Sequence, residues 1–154
     1  MESDYILEWF RFADMDLLSA ERLTTHYPVH MQLVCYLCEQ SAEKNIKGFL
    51  VYNGITEPPK IHNLEILCDR CSEFSAEFAN IYDQCESLTR YGVQPRYPHE
   101  MEITEQDMKK ALEYAKQIKE FAPLQVIRQE LEQAIKEEET PPPADEAADA
   151  EPVE

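Results

Sequence analysis

Ile6, Phe10, Ala13, Leu17 and Ala20 are spaced by threes and fours, which gathers them on one side of a helix running from Ser3 or Asp4 to about Thr25. Trp9, Asp16 and Leu23 follow along one edge of that stripe. The stretch "HYPVH" closes this segment and opens the next, with Pro28 suited to a first helical turn. The second helix is expected from about Pro28 to Asn53. Met31, Cys35, Cys38, Ala42, Ile46 and Phe49 share one of its faces, and Leu33, Leu37, Gln40, Lys44, Lys47 and Val51 share the opposite one. A helix apolar on opposite sides belongs at the centre of a bundle. Its second face is nevertheless polar in the middle, and that band calls for a reason.

Beyond "NGITEPPKIHN", where Gly54 is a suitable cap and two prolines a stop, a third helical region starts near His62 or Asn63 and continues, with room for a kink, to about Thr89. Leu64, Leu67, Cys71, Phe74, Phe78, Ile81, Cys85 and Leu88 keep the spacing throughout. Thr104 with Asp107 resembles a capping box, and Met108, Ala111, Ala115, Ile118 and Ala122 give the next core face. Pro123 either kinks this helix or starts another, in which Leu124, Ile127, Leu131 and Ala134 repeat the pattern. No strand alternation or internal repeat is evident. The pattern predicts an all-α fold, an up-and-down bundle of four to five helices.

Charge refines this picture. The chain of 154 residues has a formal charge of −17, and eight of its acids fall after Lys136 with no base among them. Residues 137–154, rich in Pro, Ala and acids, are expected to form a disordered acidic tail, leaving 1–136 as the bundle domain. The tail reads as a solubilising end or as a decoy for a basic partner. The body is acidic too, so its long-range field repels nucleic acid, and any nucleotide must find a local basic site. No apolar run is long enough to span a membrane and the first residues lack a secretory pattern, so a cytoplasmic protein is expected, with its five cysteines reduced.

Three groups of residues are candidates for chemistry. "CYLC" and "CDRC" (Cys35, Cys38, Cys68, Cys71) have the ligand types for a four-thiolate zinc site, but they lie within helical stripes where free Cys is a small apolar residue, and core packing is the expected role. In the polar band, Gln40, Lys44 and Lys47 line up on one face. They are either a solvated stripe or groups that meet a partner helix, a second subunit or a ligand, with Asp16 as a partner for Lys44. The third group is "SLTRYGVQPRYPH": 13 residues without an acid, interleaving Arg90, Tyr91, Arg96 and Tyr97. Arg suits phosphate and Tyr suits a stacked base; the plainer alternative is Arg pairing with nearby carboxylates. His62 is a helix cap or a ligand. No motif calls for a cofactor.

The segments "LEWFRFADMDLLSAERL", "YLCEQSAEKNIKGFLVYNG", "PPKIHNLEILC" and "LTRYGVQPRYP" resemble the HEPN domain family over about residues 5–122. The branch is the one with Q-A-A-E-K-x-x-K-A, His-[Asn/Asp]-Leu and R-Y-P motifs. Gln40, Glu43, Lys44, Lys47, His62, Asn63, Arg96, Tyr97 and Pro98 match its pattern, while Glu39 replaces a Gln and Ser41 an Ala. The resemblance implies a helical bundle, commonly a homodimer, often encoded beside a small nucleotidyltransferase as toxin and antitoxin or as a two-part enzyme. Some members are metal-independent ribonucleases that use an Arg with a His four to six residues on. Arg22 to His26, Arg96 to His99 and Arg90 to His99 have three, two and eight intervening residues, so that spacing is absent and catalysis is not assigned.

The leading expectation is a non-catalytic module that binds a nucleotide or RNA through Gln40, Lys44, Lys47, His62, Arg90, Arg96 and Tyr97, with Asp16, Glu43 and Asn63 as structural polar groups. The alternatives are a divergent dimeric ribonuclease and a structural or adapter dimer.

Overall fold

The computed structural model describes residues 2–93 and 101–139. These form six α-helices: α1 (Glu2–Leu23), α2 (Met31–Tyr52), α3 (Leu64–Ser72), α4 (Tyr82–Thr89), α5 (Glu105–Lys119) and α6 (Ala122–Glu139). Short 3-10 turns at Ala76–Ile81 and Arg90–Gly92 flank α4. The described residues contain no strand. The all-α bundle is as expected.

The third helical region is not continuous. Past Ser72 the chain turns, with the Phe74 and Ser75 amides bonded back to the Cys71 carbonyl, and Ser75 is extended at φ −150°. The stripe expected there therefore loses Phe74, which is exposed, while its other members are buried. At Pro123 the chain starts a new helix, because proline lacks the amide donor a helix interior needs but fits a first turn. Pro28 plays no such part. It stands in the connection after a cis Tyr27–Pro28 peptide, and α2 begins three residues later.

Other ends follow the sequence signals. The Ile55 amide bonds to the Leu50 carbonyl and the Gly54 amide to Val51, both at 3.0 Å, with Gly54 at φ 94°. This is the paired closure that glycine permits without a Cβ clash. Thr104 and Asp107 exchange side-chain and backbone bonds at 3.1 and 3.0 Å, a complete capping box. Asn63 caps α3 through its bond from the Ile66 amide, so His62, read as a possible cap, is free for another role. The last helix includes Glu137–Glu139, three residues of the stretch assigned to the tail; residues 140–154 lie outside the described residues.

α2 is the axis of the bundle and touches all five other α-helices. Its buried face carries Cys35, Cys38, Ala42, Ile46 and Phe49, and Phe49 leads into an aromatic run through Phe78 (4.4 Å) to Phe121 (5.0 Å). Where α1 crosses α2, Gly48 faces Phe10 and Trp9 so closely that a Cβ there would sit 2.9 Å from Phe10 Cζ. A bare backbone is what allows the two helices to approach. Along the opposite face Leu37 is half-buried and Leu33 exposed while Val51 is buried, so that side is open only at its N-terminal end.

Candidate functional site

The polar band of α2 lies largely inside the protein. Glu39, Glu43 and Lys47 are buried, and Gln40 and Lys44 half-buried. Ionised groups out of water need partners, and each finds one. Lys44 Nζ pairs with Asp16 of α1. Lys47 Nζ lies 3.6 Å from Glu43 Oε1, one turn earlier on the same helix. The same oxygen lies 2.8 Å from His62 Nδ1, on the approach to α3. An ionised carboxylate only accepts hydrogen bonds, so Nδ1 is the nitrogen that carries the proton. The His62 side chain is 66% exposed whereas that of Glu43 is 7% exposed: a surface imidazole held by an interior carboxylate.

Glu39 is enclosed completely. Burial pushes its carboxyl up to about 8, against a smaller opposing effect from the bond Gln40 Nε2 donates to Oε2 at 2.8 Å. It is therefore mostly neutral at pH 7. Oε1 has no hydrogen-bond partner among the described residues. The carboxyl packs against Gly92, where a Cβ would sit 3.1 Å from Glu39 Cδ. The start of α3 reaches the end of α4, just before that turn, with the Leu64 amide donating to Thr89 Oγ1 at 3.0 Å. Contacts thus link Gln40 to the Arg90–Gly92 turn through Glu39, Lys47 and His62 meet at Glu43, and Lys44 pairs with α1.

Arg90 lies 4.8 Å over the ring of Tyr91, whose hydroxyl burial pushes up to about 12. Both border a polar groove of about 400 Å³ with Asp83, Glu86, Asp107 and Lys110. Cations and carboxylates share this groove, so Arg90 is not an isolated positive site. Arg96 and Tyr97, with Pro98 and His99, lie outside the described residues.

The cysteines are core residues. All five are free and buried. Cys68 Sγ donates to the Phe78 carbonyl at 3.2 Å and Cys71 Sγ to that of Ile46 at 3.7 Å. Burial pushes Cys35 up to about 11 and raises Cys38 and Cys71 further, against the thiolate form that zinc needs. Among the described residues, no three His, Cys, Asp or Glu side chains converge as a metal set. The zinc alternative for Cys35, Cys38, Cys68 and Cys71 has no assembled site.

A second polar cluster had no sequence signal beyond one Arg inside the apolar spacing of α6. Arg128 NH1 and NH2 donate to the two carboxylate oxygens of Asp14 at 2.8 and 2.9 Å, and NH2 also reaches Asn45 Oδ1 at 2.7 Å. The guanidinium lies 4.9 Å over Phe10, and Lys119 stands 3.7 Å from Asp14. These contacts tie α1, α2, α5 and α6 together. Ser41 Oγ likewise donates to the Ala13 carbonyl at 2.8 Å.

Fold and site together define an all-helical bundle protein whose central helix carries a polar band neutralised from within. The chain belongs to the HEPN domain family, whose model matches residues 6–127. No curated protein and no solved structure matches it significantly. No helix among the described residues is long and apolar enough to cross a membrane.

Proposed function

We propose that this chain is a HEPN module that binds a nucleotide or an RNA end without cleaving it, as the partner of a small nucleotidyltransferase in a toxin–antitoxin or two-part-enzyme pair. The observation that supports this reading is the contact of the α2 polar band with the Arg90–Gly92 turn, through Glu39 against Gly92. That turn lies within the acid-free stretch, Ser87 to His99, that holds Arg90 and Arg96. Lys44 and Lys47 are neutralised by Asp16 and Glu43, and Arg90 shares its groove with carboxylates, so in this reading Arg90 binds phosphate together with Arg96 and the band positions the turn. Five free buried thiols fit a reducing, cytoplasmic setting.

Calorimetric titration with nucleoside triphosphates and with a short RNA is the test, comparing wild type with Arg90→Ala and Arg96→Ala. Saturable binding weakened by either substitution supports the reading. Absence of binding at millimolar nucleotide removes it for the isolated protein. RNA cleavage in EDTA that His62→Ala abolishes would replace it with the ribonuclease alternative.

One observation favours the adapter-dimer reading as well. The outer face of α1 exposes Tyr5, Phe12, Met15 and Leu18, each at roughly half its surface, and Tyr5, Trp9 and Phe12 line a shallow groove with Lys44. Such an apolar face suits a second copy of the chain. Light scattering on wild type and Phe12→Asp tests it, a dimer reduced to a monomer being the expected result. A monomeric wild type at high concentration would exclude it.

A further inference from the structure

The Glu43–His62 contact has a chemical consequence separate from nucleotide binding. With Nδ1–H held by the Glu43 carboxylate at 2.8 Å, the lone pair of the imidazole sits on Nε2, at the ring edge away from that contact. The side chain is 66% exposed, so a reactant can reach it. Glu43 is fixed in turn by burial and by Lys47 at 3.6 Å. This places an oriented, accessible nitrogen nucleophile in front of a carboxylate that stabilises positive charge on the ring. His26 and His30 are also exposed, yet neither ring has a hydrogen bond or ion pair among the described residues.

We propose that His62 is a phosphoryl-accepting histidine, modified on Nε2 by donors of the phosphoramidate or acyl-phosphate class. In the step, the Nε2 lone pair forms a bond to phosphorus as the bond from phosphorus to the donor's leaving group breaks. With phosphoramidate that group departs as ammonia, taking a proton from solvent. The ring keeps its Nδ1 proton, and the imidazolium charge that develops faces the ionised Glu43.

The test treats the full chain with phosphoramidate, maps the modified histidines by mass spectrometry under alkaline conditions, and assigns the nitrogen by phosphorus NMR. Rapid, selective labelling of His62 over His26 and His30, on Nε2, is the expected result, with loss of that selectivity in Glu43→Ala. Equal labelling of the four histidines, attachment to Nδ1, or no labelling of His62 would overturn the proposal. Should Glu43→Ala fail to fold, as judged by circular dichroism, the wild-type comparison among histidines and the identity of the bonded nitrogen still decide it.

Discussion

Arg128 and Asp14 lie 114 positions apart in sequence and meet through two parallel hydrogen bonds of 2.8 and 2.9 Å. Arg128 is almost fully buried, and its remaining contacts are Asn45 and the face of Phe10. The pair closes α6 onto α1.

Arg128→Ala is expected to destabilise the protein by about 3 kcal/mol, because buried Asn45 is left facing a cavity and half-buried Asp14 loses both hydrogen bonds. Asp14→Asn should cost less, since Asn keeps one acceptor and Lys119 loses only a 3.7 Å neighbour. Urea unfolding of both single variants and the double variant checks this. Additive effects would show that the two groups do not act as a unit.

Glu39 makes stability depend on pH. Folding raises its carboxyl from 4.5 to about 8, mainly by burial, so the folded state retains a proton that the unfolded chain releases above pH 4.5. Its contribution is intact below about pH 4.5 and falls as pH rises to about 8. Glu39→Gln, neutral at every pH, should match wild type near pH 5 and exceed it by a few kcal/mol at pH 9. Thermal melts of both proteins across that range test the prediction, and parallel curves would refute it.

Lys47 and Lys44 should differ although both are paired. Removing Lys47 leaves Glu43 buried with only His62, and a loss of roughly 2–3 kcal/mol is expected for Lys47→Ala. The Lys44–Asp16 pair is partly exposed, so Lys44→Ala should cost under about 1 kcal/mol. Chemical denaturation ranks the two. The reverse order would mean that α1 leans on Lys44 far more than its exposure implies.

Gly48→Ala adds a methyl group 2.9 Å from Phe10 Cζ and 3.1 Å from Trp9 Cβ. Crowding of this kind costs about 1–3 kcal/mol, partly offset by about 1 kcal/mol from the better helix propensity of alanine. A net loss is expected, smaller in a Phe10→Leu background where the ring edge is gone. Equal losses in the two backgrounds would place the strain elsewhere.

The band on α2 shows how far the chain could be read before folding. The spacing of Gln40, Lys44 and Lys47 identified a polar face in an apolar helix, and Asp16 was already a candidate for Lys44. Two positions where this chain departs from the family pattern, Glu39 and Ser41, carry no role in the sequence pattern. Both prove to be buried polar groups, Ser41 bonded to the Ala13 carbonyl and Glu39 packed on Gly92. Helical spacing reports which side a residue occupies but not what covers it, so Glu39 beside a solvated-looking Gln40 gave no sign of enclosure. The Arg128–Asp14–Asn45 cluster was invisible for a related reason: each member reads as a surface residue until three helices bring them together.

Local chemistry therefore determined most of the helices, though not the break after Ser72 or the start of α2 at Met31, together with the caps at Gly54 and at Thr104 with Asp107 and the central position of α2. Those depend on backbone geometry and on side chains only a few residues apart. Tertiary structure alone decided which charges are neutralised, which carboxyl is kept protonated, and that His62 meets Glu43. The physical reason is that solvation and Coulomb interaction depend on distances through space, and packing the helices sets those distances independently of separation along the chain.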